Sequence, residues 1–145
     1  MYQDILLPTD GSDGTVASVT HAGELAETYD ATVHVLAVAD SRNRFESPSS
    51  GVAPEAWTEA ERERAEQAIE NATMALPDDA SVETVVAEGV PQTQILDYVD
   101  AKDIDVVVMA THGRTGLDHY LIGSVTEKVV RKSPAPVLTV RIDEE

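Results

Sequence analysis

Five short apolar runs alternate with four helical patterns along this chain, and no other feature limits its fold so strongly. The runs are Ile5-Leu6-Leu7, which ends at Pro8, then Thr32 to Val38, Val82 to Ala87, Ile104 to Met109, and Pro136 to Ile142. The first, second and fourth read as strands buried on both faces, as in a parallel sheet. Between the runs, Ala22, Leu25, Ala26 and Tyr29 share one stripe of a first helix, and Ala65, Ala68, Ile69, Ala72 and Leu76 share one stripe of a second. Thr58 with Glu61 three residues on reads as the start signal of that second helix. Ile95, Leu96 and Val99 mark a third helix, with Pro91 near its first turn. Val125, Val129 and Val130 mark a fourth, entered through Ser124. This order predicts a single α/β domain over residues 1–145. Its core is a doubly wound five-stranded parallel sheet with helices on both faces and right-handed crossovers. The commonest strand order for such a sheet is 2-1-3-4-5 or a close relative.

Ligands of doubly wound sheets bind beyond the carboxyl ends of the strands, at the point where the winding reverses. The loops after the first and fourth strands are therefore the places to look for chemistry. After the fourth strand the chain reads Ala110-Thr111-His112-Gly113-Arg114-Thr115-Gly116, and the next helix opens at Gly123-Ser124-Val125-Thr126. Glycines let backbone amides approach a phosphate with no Cβ in the way. A helix start adds unpaired N–H groups and the positive end of a dipole, and Arg114 adds a cation. This is a phosphate-cradle pattern but not a Walker A loop, because no lysine follows the last glycine. The same residues also read as local structure. Ser124 with Glu127 fits a capping box, and Gly113 and Gly116 fit ordinary turns. Both readings stand on the residues alone.

The segment resembles the nucleotide loop of the universal stress protein family. ATP-binding members carry Gly, two residues, Gly, nine residues, Gly, then Ser or Thr. Here Arg114 to Ile122 supply nine residues between Gly113 and Gly123, and Ser124 follows. The first motif glycine falls on Ala110, a departure that bears on how closely a phosphate or base approaches there. Tyr2 to Ser12, with Pro8-Thr9-Asp10-Gly11 at its end, is similar to the family's first strand and Asp-containing turn. The strand ending at Val38 and the closing Ser133-Pro134-Ala135-Pro136-Val137-Leu138-Thr139-Val140 also match.

The resemblance implies strand order 3-2-1-4-5 and ATP held between the first and fourth strands. By matching position, Asp10 meets the ribose or adenine, with Pro8 and Thr9 beside it, and Val38 and Met109 line the adenine pocket. Gly113, Gly123, Ser124 and Val125 hold the phosphates, with Arg114 a further contact. A Mg²⁺ or Mn²⁺ ion rides on the phosphates, as Mg²⁺ prefers. The resemblance also implies a homodimer through Val137, Leu138, Thr139 and Val140 at a sheet edge. Without it, Asp10-Gly11-Ser12 reads as a turn and helix start, and Val38 and Met109 as core.

Charge narrows the function further. Acidic residues number 27 and basic ones 10, a net charge of −17, spread over the whole chain. Such a surface repels nucleic-acid phosphates; it reads either as an acidic partner-binding surface or as adaptation to a salt-rich cytoplasm, and its even spread favours the second, hence a halophilic source. With no cysteine there is no disulfide, thiol nucleophile or Cys-ligated zinc. His21, His34, His112 and His119 show no metal-ligand spacing, and His34 reads as packed and hydrogen-bonded within its strand. No apolar run reaches membrane-spanning length. Met1-Tyr2-Gln3-Asp4 lacks the positive start of a secretion signal, so the expected location is cytoplasmic. Gly-x-Ser-x-Gly is absent, and Asp118 and His119 are the only titratable residues obviously placed to help ATP hydrolysis, with nothing to orient them. The expectation is ATP binding with slow turnover at most, rather than an enzyme. The alternative is a nucleotide-free dimerisation or adaptor module on the same fold.

Overall fold

The computed structural model describes residues 1–12, 14–41, 54–111 and 123–141. Among them the elements run β1 (Asp4–Pro8), α1 (Gly14–Tyr29), β2 (Thr32–Asp40), α2 (Pro54–Ala75), β3 (Ser81–Gly89), α3 (Pro91–Ala101), β4 (Val106–Ala110), α4 (Ser124–Lys132) and β5 (Val137–Val140). The sheet has order β3-β2-β1-β4-β5, and each neighbouring pair is parallel. The alternation therefore reads correctly, and the order is the one that the family resemblance implied.

The central strands owe their place to burial on both faces. Ile5, Leu6 and Leu7 are each fully buried, as are Val33, Val35, Val107 and Val108. Burying a side chain of that size contributes about 2 kcal/mol, so β1 alone outweighs any single polar contact around it. One layer joins Ile5, Leu7, Val33 and Val35 to Val19 and Ala22 of α1 and Ala65, Ala68 and Ala72 of α2. The other joins Leu6, Leu36, Val107 and Met109 to Ile95 and Val99 of α3 and Val129 of α4. Alanine-rich helix stripes suit the first layer because small residues let α1 and α2 lie close on the sheet.

Two start signals read from the sequence are corrected. The second helix begins at Pro54, not Thr58. A proline suits a first helical position, since the N–H it lacks would have no intrahelical acceptor there. Glu61 then lies inside the helix and turns inward. Its carboxylate accepts the Asp40 N–H at 3.3 Å and pairs with Arg64 at 2.9 Å, which anchors the end of β2. The fourth helix is capped by Gly123, not Ser124, and it has no side-chain cap. Ser124 is its first residue, and Glu127 pairs with Arg131 one turn on instead of reaching back.

His34 is buried and satisfied, as its place in a strand suggested. Its Nε2 lies 2.9 Å from Asp4 Oδ1 and its Nδ1 2.7 Å from the Tyr98 hydroxyl. Glu83 Oε2 lies 3.5 Å from the same Nδ1. Burial, then the charges of Glu83 and Asp4, hold the Tyr98 phenol above its ordinary value. This cluster ties β1, β2, β3 and α3 together at the amino end of the sheet.

Candidate functional site

The carboxyl end of the sheet is built differently, and Pro8 explains much of it. Neighbours β1 and β2 stay paired through Pro8 and Leu36. The β1–β4 register covers only Ile5 with Val106 and Leu6 with Val107. In a parallel strand successive residues send their N–H groups to alternate neighbours. Thr9 N–H goes to Leu36 of β2, and the Asp4 carbonyl takes the Asp105 N–H on the β4 side. Pro8 is thus the residue whose N–H would continue the ladder to β4, and proline has none. The ladder between β1 and β4 ends there, at the point where the winding reverses.

Beyond Pro8 the chain makes a tight turn. The Asp10 carboxylate accepts the Ser12 N–H at 2.9 Å, and Thr9 Oγ1 accepts the Gly11 N–H at 3.3 Å. Gly11 has φ of +80°, a conformation that an L side chain resists. Thr9 Oγ1 also stands 3.1 Å from Thr15 Oγ1, which fastens the turn to the first turn of α1. Thr9 is buried and Asp10 half-buried. The local reading of Asp10 is therefore correct as far as it goes.

The helix α4 starts at the same end of the sheet, beside the end of β4. Gly123 N–H donates to the Thr111 carbonyl at 2.6 Å, and Thr126 Oγ1 donates to the Ala110 carbonyl at 2.9 Å. These two bonds set the start of α4 directly after β4. The Glu127 N–H is the first to return to the helix, at the Gly123 carbonyl. Helix geometry leaves the N–H groups of Ser124, Val125 and Thr126 without an intrahelical acceptor. Ser124 is exposed, and its side chain caps none of those amides. Together they suit an anion.

Val38 and Met109 belong to one apolar layer, the one that also takes in Val125. The structure thus brings together Pro8, Thr9, Asp10, Val38, Met109, Gly123, Ser124 and Val125 at one end of the sheet. Gly113 and Arg114, with His112, Asp118 and His119, lie outside the described residues. Ala110, at the first motif glycine, is the last residue of β4, in register with Val140. Extended backbone there accepts an alanine.

Sequence reasoning missed Thr126 and the ladder-ending role of Pro8. Thr126 shares the buried stripe of α4 with Val129, so a hydroxyl among apolar positions was the available signal. The role of Pro8 needs the sheet register, which no local pattern carries.

The model of the universal stress protein family matches residues 1–141. The chain belongs to the universal stress protein family. It is 34% identical over 142 residues to Universal stress protein MJ0531 of Methanocaldococcus jannaschii, covering 97% of this chain and 83% of that protein. The solved structure of MJ0577, a universal stress protein of the same organism, superposes with a TM-score of 0.86 at 29% identity, covering 100% of this chain and 99% of the other. A universal stress protein solved in complex with cAMP superposes with a TM-score of 0.65 at 25% identity, over 97% of each chain. Among the described residues no helix is long and apolar enough to cross a membrane, and no three His, Asp or Glu side chains group to hold a metal ion.

Proposed function

We propose that this universal stress protein is an ATP-binding regulatory module that holds its nucleotide between β1 and β4 and turns it over slowly or not at all. The observation that carries the reading is the first turn of α4. Its Ser124, Val125 and Thr126 amides are left without an intrahelical acceptor, and the Thr126 hydroxyl ties that turn to the Ala110 carbonyl at the end of β4, the strand beside β1. They take the phosphates, with Gly123 leaving room for close approach. Asp10 takes a ribose hydroxyl, and Val38 and Met109 pack against the base. Gly113 and Arg114 complete the phosphate side by their motif positions. Mg²⁺ or Mn²⁺ supplies charge neutralisation on the phosphates and needs no protein cage. The relative solved with cAMP supports an adenine nucleotide as the ligand class. The rest of the reading is a cytoplasmic homodimer from a halophilic source, joined through β5, where Leu138 is exposed at the sheet edge.

A second reading is a nucleotide-free dimerisation or adaptor module, favoured by Ala110 in place of the motif glycine and by the same exposed edge. Calorimetric titration of ATP with Mg²⁺ into nucleotide-stripped protein in molar KCl separates the two. Gly123 has φ of −61° and ψ of 153°, which any residue adopts. Gly123→Val therefore suits that backbone and adds bulk at the start of α4. Saturable binding lost in that variant supports the ATP reading. Absence of binding in the parent protein moves the chain to the adaptor reading.

A further inference from the structure

Charge is spread unevenly in one respect. Residues 123–141 hold four of the ten basic residues, Lys128, Arg131, Lys132 and Arg141, and only one of the 27 acidic ones, Glu127. Glu127 is paired with Arg131, which leaves Lys128, Lys132 and Arg141 as the net charge of the segment. All three are exposed. Lys128 stands one turn after Ser124, about 6 Å further along the axis, and helical side chains lean toward the amino end. Arg141 follows Val140 directly. The Val140 carbonyl takes the Thr111 N–H, and the Thr111 carbonyl takes the Gly123 N–H. The backbone of Arg141 is thus two hydrogen bonds from the cap of α4. Of the four, Arg131 and Lys132 lie in the last turn of α4, and Lys128 and Arg141 are the two that the chain brings toward its start.

We propose that Lys128 and Arg141 form a cationic rim at the phosphate end of the site and make affinity depend on the charge of the ligand. The proposal rests on the nucleotide reading of the same site and deepens it. The remaining surface is strongly negative and repels any nucleotide at long range. Two cations at the rim offset that repulsion locally, and only while the screening length is about 10 Å or more, near 0.1 M salt or below. The rim favours ATP over AMP and AMP over adenosine in dilute buffer, and these differences shrink in molar KCl.

The test is titration of ATP, AMP and adenosine, without divalent metal, into the parent protein and the Lys128→Ala/Arg141→Ala double variant. Each is measured in dilute buffer and in molar KCl. In dilute buffer the double variant should bind ATP about fivefold more weakly and AMP about twofold more weakly, with adenosine unchanged. In molar KCl the two proteins should agree for all three ligands. The Lys128→Arg/Arg141→Lys variant should behave as the parent does. An equal loss for adenosine, or a loss that persists in molar KCl, would show a packing defect and overturn the rim. Unchanged ATP binding in dilute buffer would overturn it too. A parent protein that binds adenosine but does not favour ATP defeats the rim while leaving the pocket standing, whereas one that binds none of the three defeats the nucleotide reading itself.

Discussion

The two ends of the sheet solve opposite problems with different kinds of residue. At the amino end, the His34 imidazole meets Asp4 and Tyr98, and its polar atoms are matched within the protein. At the carboxyl end, Pro8 stops the ladder, Gly11 takes a left-handed turn, and α4 begins with three amides that the helix does not use. A closed hydrogen-bond cluster has nothing to offer a ligand, and an open one does. The same sheet supports both because its middle is held by Ile5, Leu6, Leu7, Val107 and Val108, which need neither end.

The largest expected effect comes from breaking the closed end. His34→Ala removes a buried ring and its bonds to Asp4 and the Tyr98 hydroxyl, so urea denaturation should show a loss of about 2–4 kcal/mol. Nucleotide affinity measured well below the unfolding transition should stay within twofold of the parent. A large affinity loss there would mean that the ends are coupled and the contrast is false. Thr126→Val comes next. It keeps the shape but removes the bond to the Ala110 carbonyl, at about 1 kcal/mol in stability. Because that bond aims the first turn of α4, ATP affinity should fall several-fold by calorimetry, whereas an unchanged affinity would show that the bond positions nothing.

Tyr98 supplies a pH signature of the closed end. Its phenol is held above the ordinary value of 10.0. Below that pH both folded and unfolded chains keep the proton, and the group has no effect. From about pH 10 upward the unfolded chain loses it first, so stability falls as pH rises. Tyr98→Phe should flatten this alkaline fall in a denaturation series, and an unaltered slope would assign the fall to other groups. The smallest effect belongs to Arg131→Ala. It removes an exposed ion pair with Glu127 and should change stability by no more than about 0.5 kcal/mol.

These contrasts also explain what the sequence made legible. The strand–helix alternation survives in the structure because apolar burial is a local pattern as well as a tertiary one. The site was legible where backbone chemistry is written in residue type: Asp10-Gly11-Ser12 for a turn, and Gly123-Ser124 for a helix start. Its finer grammar was not. The capping box at Ser124 fails because Gly123 already serves as cap, and the Thr58 signal fails because Glu61 is drawn inward to Asp40. The partners of His34 lie 30 and 64 residues away in sequence, so only the fold reveals them. The missing N–H of Pro8 matters only once β4 is known to lie beside β1.

The central claim is that one end of the sheet is open to a nucleotide and the other is closed. Amide chemical-shift mapping of isotope-labelled protein in molar KCl, with ATP and Mg²⁺ added stepwise, tests it most directly. The account predicts saturable shifts at Gly11, Ser12, Val38, Ser124, Val125 and Thr126, with Asp4, His34, Glu83 and Tyr98 unmoved. Shifts centred on the His34 cluster, or none at the start of α4, would contradict it.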